Sequence, residues 1–203
     1  MSEPELDPAA PPATKSERTR QSVLDAAAHL FARRGYADTS MSDIAAEAGI
    51  KAGSVYYHFA SKDELVYEVL RFGTAHSFEH TRTEVERLGS GASAAAQLRA
   101  AIHAQLDSLH SLGDYASAGL GIVEQAPRAI RKKQYANQRH YGDYWHQLLG
   151  RAEAEGALPS GIDLLSVRLF LFAAMNSTVA WPATARQSTA HLTDTLFALV
   201  ARP

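Results

Sequence analysis

The 203-residue chain contains no cysteine, which excludes disulfides, zinc thiolate sites and cysteine nucleophiles. It also lacks long apolar runs, and none approaches the roughly 20 residues that a membrane-spanning helix needs. Strand-like alternation of apolar and polar residues is scarce, whereas apolar residues recur at helical spacing. The helical spacing predicts an all-α fold, and the hydrophobic content of 46% is enough for a sizeable core.

Net charge is small as well, −2 at neutral pH, but it is unevenly distributed along the chain. Residues 1–13 carry three acids and no base and are rich in proline and alanine, which predicts a disordered tail. This start also lacks the basic and apolar segments of a signal peptide. Residues 14–62 carry a net charge of +2, and residues 63–203 are nearly neutral. We therefore expect a cytoplasmic protein with a tail over 1–13, a positive domain over 14–62 and a larger domain over 63–203.

Capping residues mark the helix boundaries of the positive domain. Gly35 is predicted to end a first helix, and Ser40 with Asp43 three residues later forms the N-cap pattern of a second, short helix. Gly49 stops that helix, and a third helix is expected over 52–58. Two short helices joined by a tight turn predict a helix-turn-helix. Further helices are expected over 61–88, 92–112, 115–125, 127–155, 163–181 and 188–201.

The exposed side of the third helix is suited to a DNA groove. Ala52, Gly53 and Ser54 are small, so the backbone at the tip of the helix can approach the groove floor closely. Tyr57 and His58 then offer a hydroxyl and a ring nitrogen to the flanking phosphates. The alternative interpretation is an ordinary helical hairpin with aromatic core residues.

The run SMSDIAAEAGI over 40–50, followed by GSVYYHF over 53–59 and SKDEL over 61–65, strongly resembles the DNA-binding domain of TetR-family transcriptional repressors. The resemblance covers residues 16–66 and implies a regulator that binds double-stranded operator DNA and is not an enzyme. It implies that bases are faced by Ser42, Lys51, Ala52, Gly53 and Ser54. It also implies a second group of residues that either hold phosphates or pack the motif: Ser40, Tyr56, Tyr57, His58 and Lys62. Lys51 departs from the small cap that is common at its position in the family.

Two helices near the C-terminus indicate a homodimer. The helix expected over 163–181 is apolar on nearly all sides, so it must be covered on nearly all sides. The last helix, over 188–201, carries one apolar face. Pairing of both helices with their symmetry mates would form a four-helix bundle, as in TetR-like proteins, and would match the two-fold symmetry of an operator. A monomeric core helix is the alternative.

An apolar effector cavity is expected between the helices of the larger domain. Large side chains available to line it are Phe72, Leu106, Leu109, Tyr115, Ile122, Tyr141, Trp145, Phe170 and Met175. Residues 135–181 loosely resemble TetR-like regulators of steroid and fatty-acid catabolism at Trp145, Glu155–Gly156, Asp163 and Trp181. This resemblance implies a steroid-type or acyl-CoA effector.

A basic cluster follows Pro127 and consists of Arg128, Arg131, Lys132 and Lys133. It is either a solvated helix start or a phosphate clamp at the cavity mouth. The alternative effector is a cationic hydrophobic drug, with an efflux gene as the regulated target, and it would need an acid such as Glu124 facing the cavity.

No enzyme activity, cofactor or metal is expected. The chain has no Gly-x-Ser-x-Gly elbow, phosphate-binding loop or His-Glu-x-x-His motif. His76, His80 and Glu84 share a helical face, but nine histidines in one chain make such a coincidence common.

Overall fold

The computed structural model describes residues 14–202, and the predicted tail over 1–13 lies outside the described residues. Within the described range the chain forms helices and no β-strand, so the predicted all-α class is confirmed. The helices are α1 Lys15–Arg34, α2 Met41–Glu47, α3 Ala52–His58, α4 Lys62–Arg87, α5 Ala94–Ser111, α6 Asp114–Gly121, α7 Arg128–Ala154, α8 Leu164–Ser177 and α9 Thr189–Val200. Among these described helices none is both long and apolar enough to cross a membrane.

Capping boxes start the first two helices. Thr14 Oγ1 accepts a hydrogen bond from Glu17 N at 3.2 Å, and the Glu17 carboxylate accepts one from Thr14 N at 2.7 Å. Ser40 and Asp43 repeat this exchange at the start of α2, as the sequence predicts, with distances of 3.1 Å and 2.9 Å. Each box satisfies amide donors that the first helical turn leaves unpaired.

Gly35 ends α1 because the chain must turn sharply there, with a φ of 78° that side chains disfavour. A Cβ atom at this position would also lie 2.6 Å from Oε1 of Gln125. The same Oε1 accepts a hydrogen bond from Tyr36 N at 3.0 Å. The loop that follows α6 is therefore packed directly against the turn that follows α1.

The first apolar core joins α1, α2 and α3 to the N-terminal part of α4 and to α6. Val55 and Phe59 lie four residues apart and point inward from α3, where they are buried with Ile44 of α2 and Leu65 of α4. Tyr115 of α6 belongs to the same cluster, so the packing of this core does not stop at residue 62.

The second core lies between α4, α5, α7, α8 and α9 and is centred on the fully buried ring of Trp145. Phe172 of α8 meets that ring edge-on at 5.2 Å between centroids, and Tyr141 meets it at 6.3 Å. Edge-to-face contacts of this kind are the favoured geometry of aromatic pairs. The first half of α4 belongs to one core and the second half to the other.

Two helices are shorter than the sequence predicts. Instead of reaching residue 125, α6 ends at Gly121, where glycine lowers helix propensity. Rather than running to residue 181, α8 ends at Ser177 and is followed by the 3-10 turn Thr178–Ala180. The hydroxyls of Ser177 and Thr178 donate to the carbonyls of Ala174 and Met175 at 2.7 Å each, and such back-bonding competes with helix continuation.

Replacement of Ser40 by alanine should lower the free energy of unfolding by about 1 kcal/mol, because it removes the N-cap of α2. The matched control is Ser42→Ala, two residues further along in the first turn of α2, where the side chain is exposed. Thermal unfolding followed by circular dichroism measures both. Equal stability of the two variants would show that the capping box does not stabilise α2.

Candidate functional site

The small N-terminal domain presents α3 to solvent with its polar side outward. Burial of Val55 and Phe59 fixes the rotation of the helix about its axis. Tyr56 and Tyr57 consequently point away from the core, with 55% and 81% of their surface exposed. A Cβ atom added at Gly53 would meet nothing within 4 Å, so the tip of the helix is open. The exposed Tyr57 ring meets the ring of His58 edge-on, with 5.0 Å between their centroids.

The structure brings the predicted DNA-contacting residues to one surface in two groups. The first surrounds a shallow depression between the start of α2, α3 and the start of α4, and contains Ser40, Ser42, Tyr56 and Lys62. The second follows α3 itself and contains Lys51, Ala52, Gly53, Ser54, Tyr57 and His58. Eight of the ten residues are exposed, and His58 and Lys62 are half-buried. Their role in DNA binding stays a prediction.

Lys62 is held in place by Tyr36. Its Nζ donates to the Tyr36 carbonyl oxygen at 2.9 Å and lies 4.1 Å from the centre of the Tyr36 ring. The Tyr36 hydroxyl donates in turn to Asp63, and burial together with that carboxylate raises the pKa of Tyr36 to about 12. An ammonium carries three N–H donors, so this contact leaves others to meet a phosphate.

The larger domain contains a cavity of about 490 Å³ between α4, α5, α6, α7 and α8. Three of the predicted effector-contacting residues line it: Leu109, Tyr115 and Tyr141. The wall is otherwise formed by apolar side chains such as Leu70, Leu112 and Phe172 and by a group of polar ones.

The other predicted residues lie outside the cavity wall. Leu106, Ile122, Trp145 and Met175 are fully buried in the two cores. Phe72 packs on the ring of Tyr115, with 4.6 Å between centroids. Phe170 lies on the outer face of α8 with 74% of its surface exposed. Helical periodicity identifies inward-facing side chains, but it does not reveal where helices leave space between them.

A hydrogen-bonded network makes part of the wall rigid. The Tyr141 hydroxyl donates to Gln105 Oε1 at 2.5 Å and lies 2.7 Å from Thr81 Oγ1. Burial raises the pKa of Tyr141, so its phenol stays protonated at neutral pH. About two turns earlier in α7, Gln134 Nε2 donates to Thr74 Oγ1 at 2.8 Å, whereas the buried Gln134 Oε1 has no hydrogen-bond partner among the described residues. The bonds among Tyr141, Gln105 and Thr81 hold these buried side chains in one arrangement.

The charged residues of the wall were missed by the sequence prediction. They are Arg139 and Asp143 of α7 and Arg168 of α8. Arg168 is the single charge in the otherwise uncharged α8, which is a signal the sequence did contain. Its guanidinium reaches α7 because Gly142 has no side chain, and a Cβ atom there would lie 2.5 Å from Nη1.

The basic cluster after Pro127 does not line the cavity. Arg131 donates to the Glu124 carbonyl oxygen at 2.9 Å, and Lys133 lies 5.4 Å from the centre of the Tyr67 ring. Of its two interpretations, this placement favours a solvated helix start. His80 pairs with Asp107 at 3.1 Å, and the described residues contain no group of three side chains that could hold a metal.

A small domain with an exposed third helix, joined to a larger helical domain with a cavity, is the architecture of a helix-turn-helix transcriptional regulator. Comparison with known proteins agrees. Residues 23–69 match the family described as bacterial regulatory proteins, tetR family, and residues 91–202 match the tetracyclin repressor-like C-terminal domain. The chain therefore belongs to the TetR family, whose members bind DNA, typically as dimers.

Among its relatives is the transcriptional regulator SrpR of Pseudomonas putida, which is 31% identical over 75% of this chain and 69% of its own length. The repressor KstR2 of Rhodococcus jostii is 31% identical over 71% of this chain and 70% of its own. The solved structure of the ketosteroid transcriptional regulator KstR2 of Mycobacterium tuberculosis covers 91% of this chain and 95% of its own, with 25% identity and a TM-score of 0.76.

Replacement of Lys62 by alanine should weaken binding to all duplexes alike, because a phosphate contact carries no sequence information. The slope of log affinity against log salt should fall by about 0.9, the share of one phosphate contact. The control Lys132→Ala removes the same charge from exposed α7. Fluorescence anisotropy at several salt concentrations measures the slope, and an unchanged slope would restrict Lys62 to its contact with Tyr36.

Proposed function

We propose that the protein is a cytoplasmic repressor that binds a palindromic operator as a homodimer and is released by an apolar effector with an anionic group. One observation carries this proposal. The same chain combines an exposed α3, rotated so that its small and polar residues face outward, with an apolar cavity that contains two arginines. The first feature suits a major groove, and the second suits a small molecule.

The dimer is supported by the uncovered surfaces of α8 and α9. Within α8, the side chains of Leu165, Leu169 and Phe170 are about half or more exposed, and Leu199 of α9 is 76% exposed. Leu165 and Leu169 lie four residues apart on one face of α8, and uncovered apolar side chains grouped in this way are typical of an interaction site. In a two-fold dimer, α8 and α9 of one copy would pack on α8 and α9 of the other. That symmetry matches a palindromic operator.

Substitution of Phe170 by glutamate should convert the dimer to a monomer, because it would bury a charge at the two-fold contact. Operator affinity should fall with it, since each monomer reaches one half-site only. The control is Leu88→Glu, at an exposed leucine that follows α4. Sedimentation velocity measures the mass. A Phe170→Glu protein that remains dimeric would place the interface elsewhere.

The effector class follows from the wall of the cavity. A volume near 490 Å³ lies within the usual range of small-molecule sites. Arg139 and Arg168 line it and form no ion pair with the described residues. Guanidinium groups bind carboxylates and phosphates with two parallel hydrogen bonds. We therefore infer a steroid- or acyl-type body with a carboxylate or a coenzyme A thioester, and the relationship to KstR2 supports the steroid type.

Asp143 favours the second candidate, a cationic hydrophobic drug and an efflux gene as target. Its carboxylate lines the same cavity as Tyr115 and Phe172, and acids with aromatic rings are what a cation would need. Two arginines against one aspartate make the anionic effector the better supported choice.

Release would act through α4, which belongs to both cores. The two recognition helices of a dimer must lie about 34–36 Å apart to reach successive major grooves. An effector that moves α4 would change this spacing. A coupling free energy of about 1–3 kcal/mol lowers operator affinity roughly 5- to 150-fold, which is enough for regulation.

A long-chain acyl-CoA thioester should bind more tightly than the uncharged amide of the same fatty acid. Substitution of both Arg139 and Arg168 by glutamine should lower the thioester affinity by roughly tenfold or more, since hydrogen bonds to charged groups contribute about 1.5–3 kcal/mol. The matched control removes two charges from the basic cluster, Arg128→Gln with Lys132→Gln. Titration calorimetry gives the affinities. Equal affinity for thioester and amide, or binding of cations alone, would overturn the anionic class.

A further inference from the structure

We propose that Tyr115 is the positioning residue through which a molecule in the cavity displaces α1 of the DNA-binding domain. This inference rests on the proposed function in one respect, that the cavity is the effector site. It adds a direct route between the cavity and α1 that does not pass along α4. Its basis is the position of one side chain that contacts both.

The ring of Tyr115 lines the cavity, and its hydroxyl reaches α1. Oη donates to Asp25 Oδ1 at 2.8 Å and accepts from Gln21 Nε2 at 3.1 Å. Gln21 Nε2 also donates to Asp25 Oδ1 at 2.8 Å, which closes a triangle of three hydrogen bonds. The other side of the ring packs on Phe72 of α4. A ring displaced by a ligand must either break these bonds or move α1 with it.

The direction of the bond to Asp25 is unambiguous. Burial raises the pKa of the Tyr115 phenol, and the nearby Asp25 carboxylate raises it further. The phenol therefore keeps its proton at neutral pH and donates it to a carboxylate that can only accept. Hydrogen bonds with one ionised partner are stronger than neutral ones, so the connection can transmit a displacement rather than yield to it.

Neighbouring contacts hold the same face of α1 but lie outside the cavity wall. Gln21, Asp25 and His29 are spaced four residues apart and so share one face of α1. His29 Nδ1 lies 2.8 Å from Asp114 Oδ2, on the residue before Tyr115. Asp114 is not part of the wall of the cavity, whereas Tyr115 is. Movement of Tyr115 would therefore disturb a hydrogen-bonded interface between α1 and the start of α6.

The helix that carries Tyr115 is built to shift. It spans eight residues and includes Gly119 and Gly121, which lower its intrinsic stability. Its N-cap, Gly113, has a φ of 51° and supplies no side-chain cap. A short, weakly capped helix between a cavity and α1 can change position at lower cost than the long helices around it.

The test replaces the effector by a side chain tethered in the cavity, so that it does not depend on the identity of the ligand. Gly119 lines the cavity, and a Cβ atom there would meet nothing within 4 Å. Gly119→Leu adds bulk at this wall. Gly119→Ala is the matched control, because it raises helix propensity without filling the space. Tyr115→Phe keeps the ring and removes the hydroxyl alone.

Operator affinity is measured by fluorescence anisotropy on a duplex selected by the wild-type full-length chain from random sequences. Relative to Gly119→Ala, Gly119→Leu should weaken binding at least about fivefold, the lower end of allosteric coupling. In the Tyr115→Phe background, the affinities of Gly119→Leu and Gly119→Ala should differ by less than about twofold, which is the usual scatter between independent mutations.

An equal loss in both backgrounds, or no loss from Gly119→Leu in the wild-type background, would overturn the proposal. A merely structural hydroxyl would lower the thermal stability of Tyr115→Phe without changing the effect of Gly119→Leu. The acyl-CoA titration on the wild-type protein is separate, so a wrong effector class would appear there and leave this result intact.

Discussion

The arrangement of the two domains depends on the burial of one helix in two cores. Leu65, Val66, Val69 and Leu70 of α4 are at most 2% exposed within the first core, and Val85 is buried in the second. Full burial of such side chains stabilises by about 1.5–3 kcal/mol each, so neither end of α4 can leave its core cheaply. Because a helix transmits displacement along its axis, the position of α3 is tied to the packing of the larger domain.

A second connection, between α1 and α6, also joins the two domains. The first core continues into α6, and the polar face of α1 bonds Tyr115 and Asp114 there. The DNA-binding domain is consequently held from two sides, by a long continuous helix and by a short one with little stability of its own. Helix shifts and hinge movements are known switching transitions, and the short, glycine-containing α6 has less intrinsic helix stability than the 26-residue α4.

Hydrogen-bonded polar groups fix part of the cavity wall. Interiors normally pack to the density of organic crystals, so a cavity of about 490 Å³ depends on a wall that keeps its shape. Here the hydrogen bonds of Tyr141, Gln105 and Thr81 hold the wall in place. The close approach of Arg168 to Gly142 keeps a charged group at the apolar surface. The wall therefore combines apolar area with a few oriented polar groups.

Local chemistry was sufficient for the sequence to determine helices, caps and the outward face of α3. The capping box of Ser40, the inward residues Val55 and Phe59 and the small tip at Gly53 are all properties of short segments, so they can be deduced from spacing. The cavity could not be deduced in this way. Trp145 and Met175 have the same inward periodicity as Leu109 and Tyr141, yet only the latter pair lines open space. The packing of separate helices determines which inward side chains meet a void and brings Arg168 beside Gly142. No short segment of the sequence specifies that packing, because it joins residues far apart in the chain.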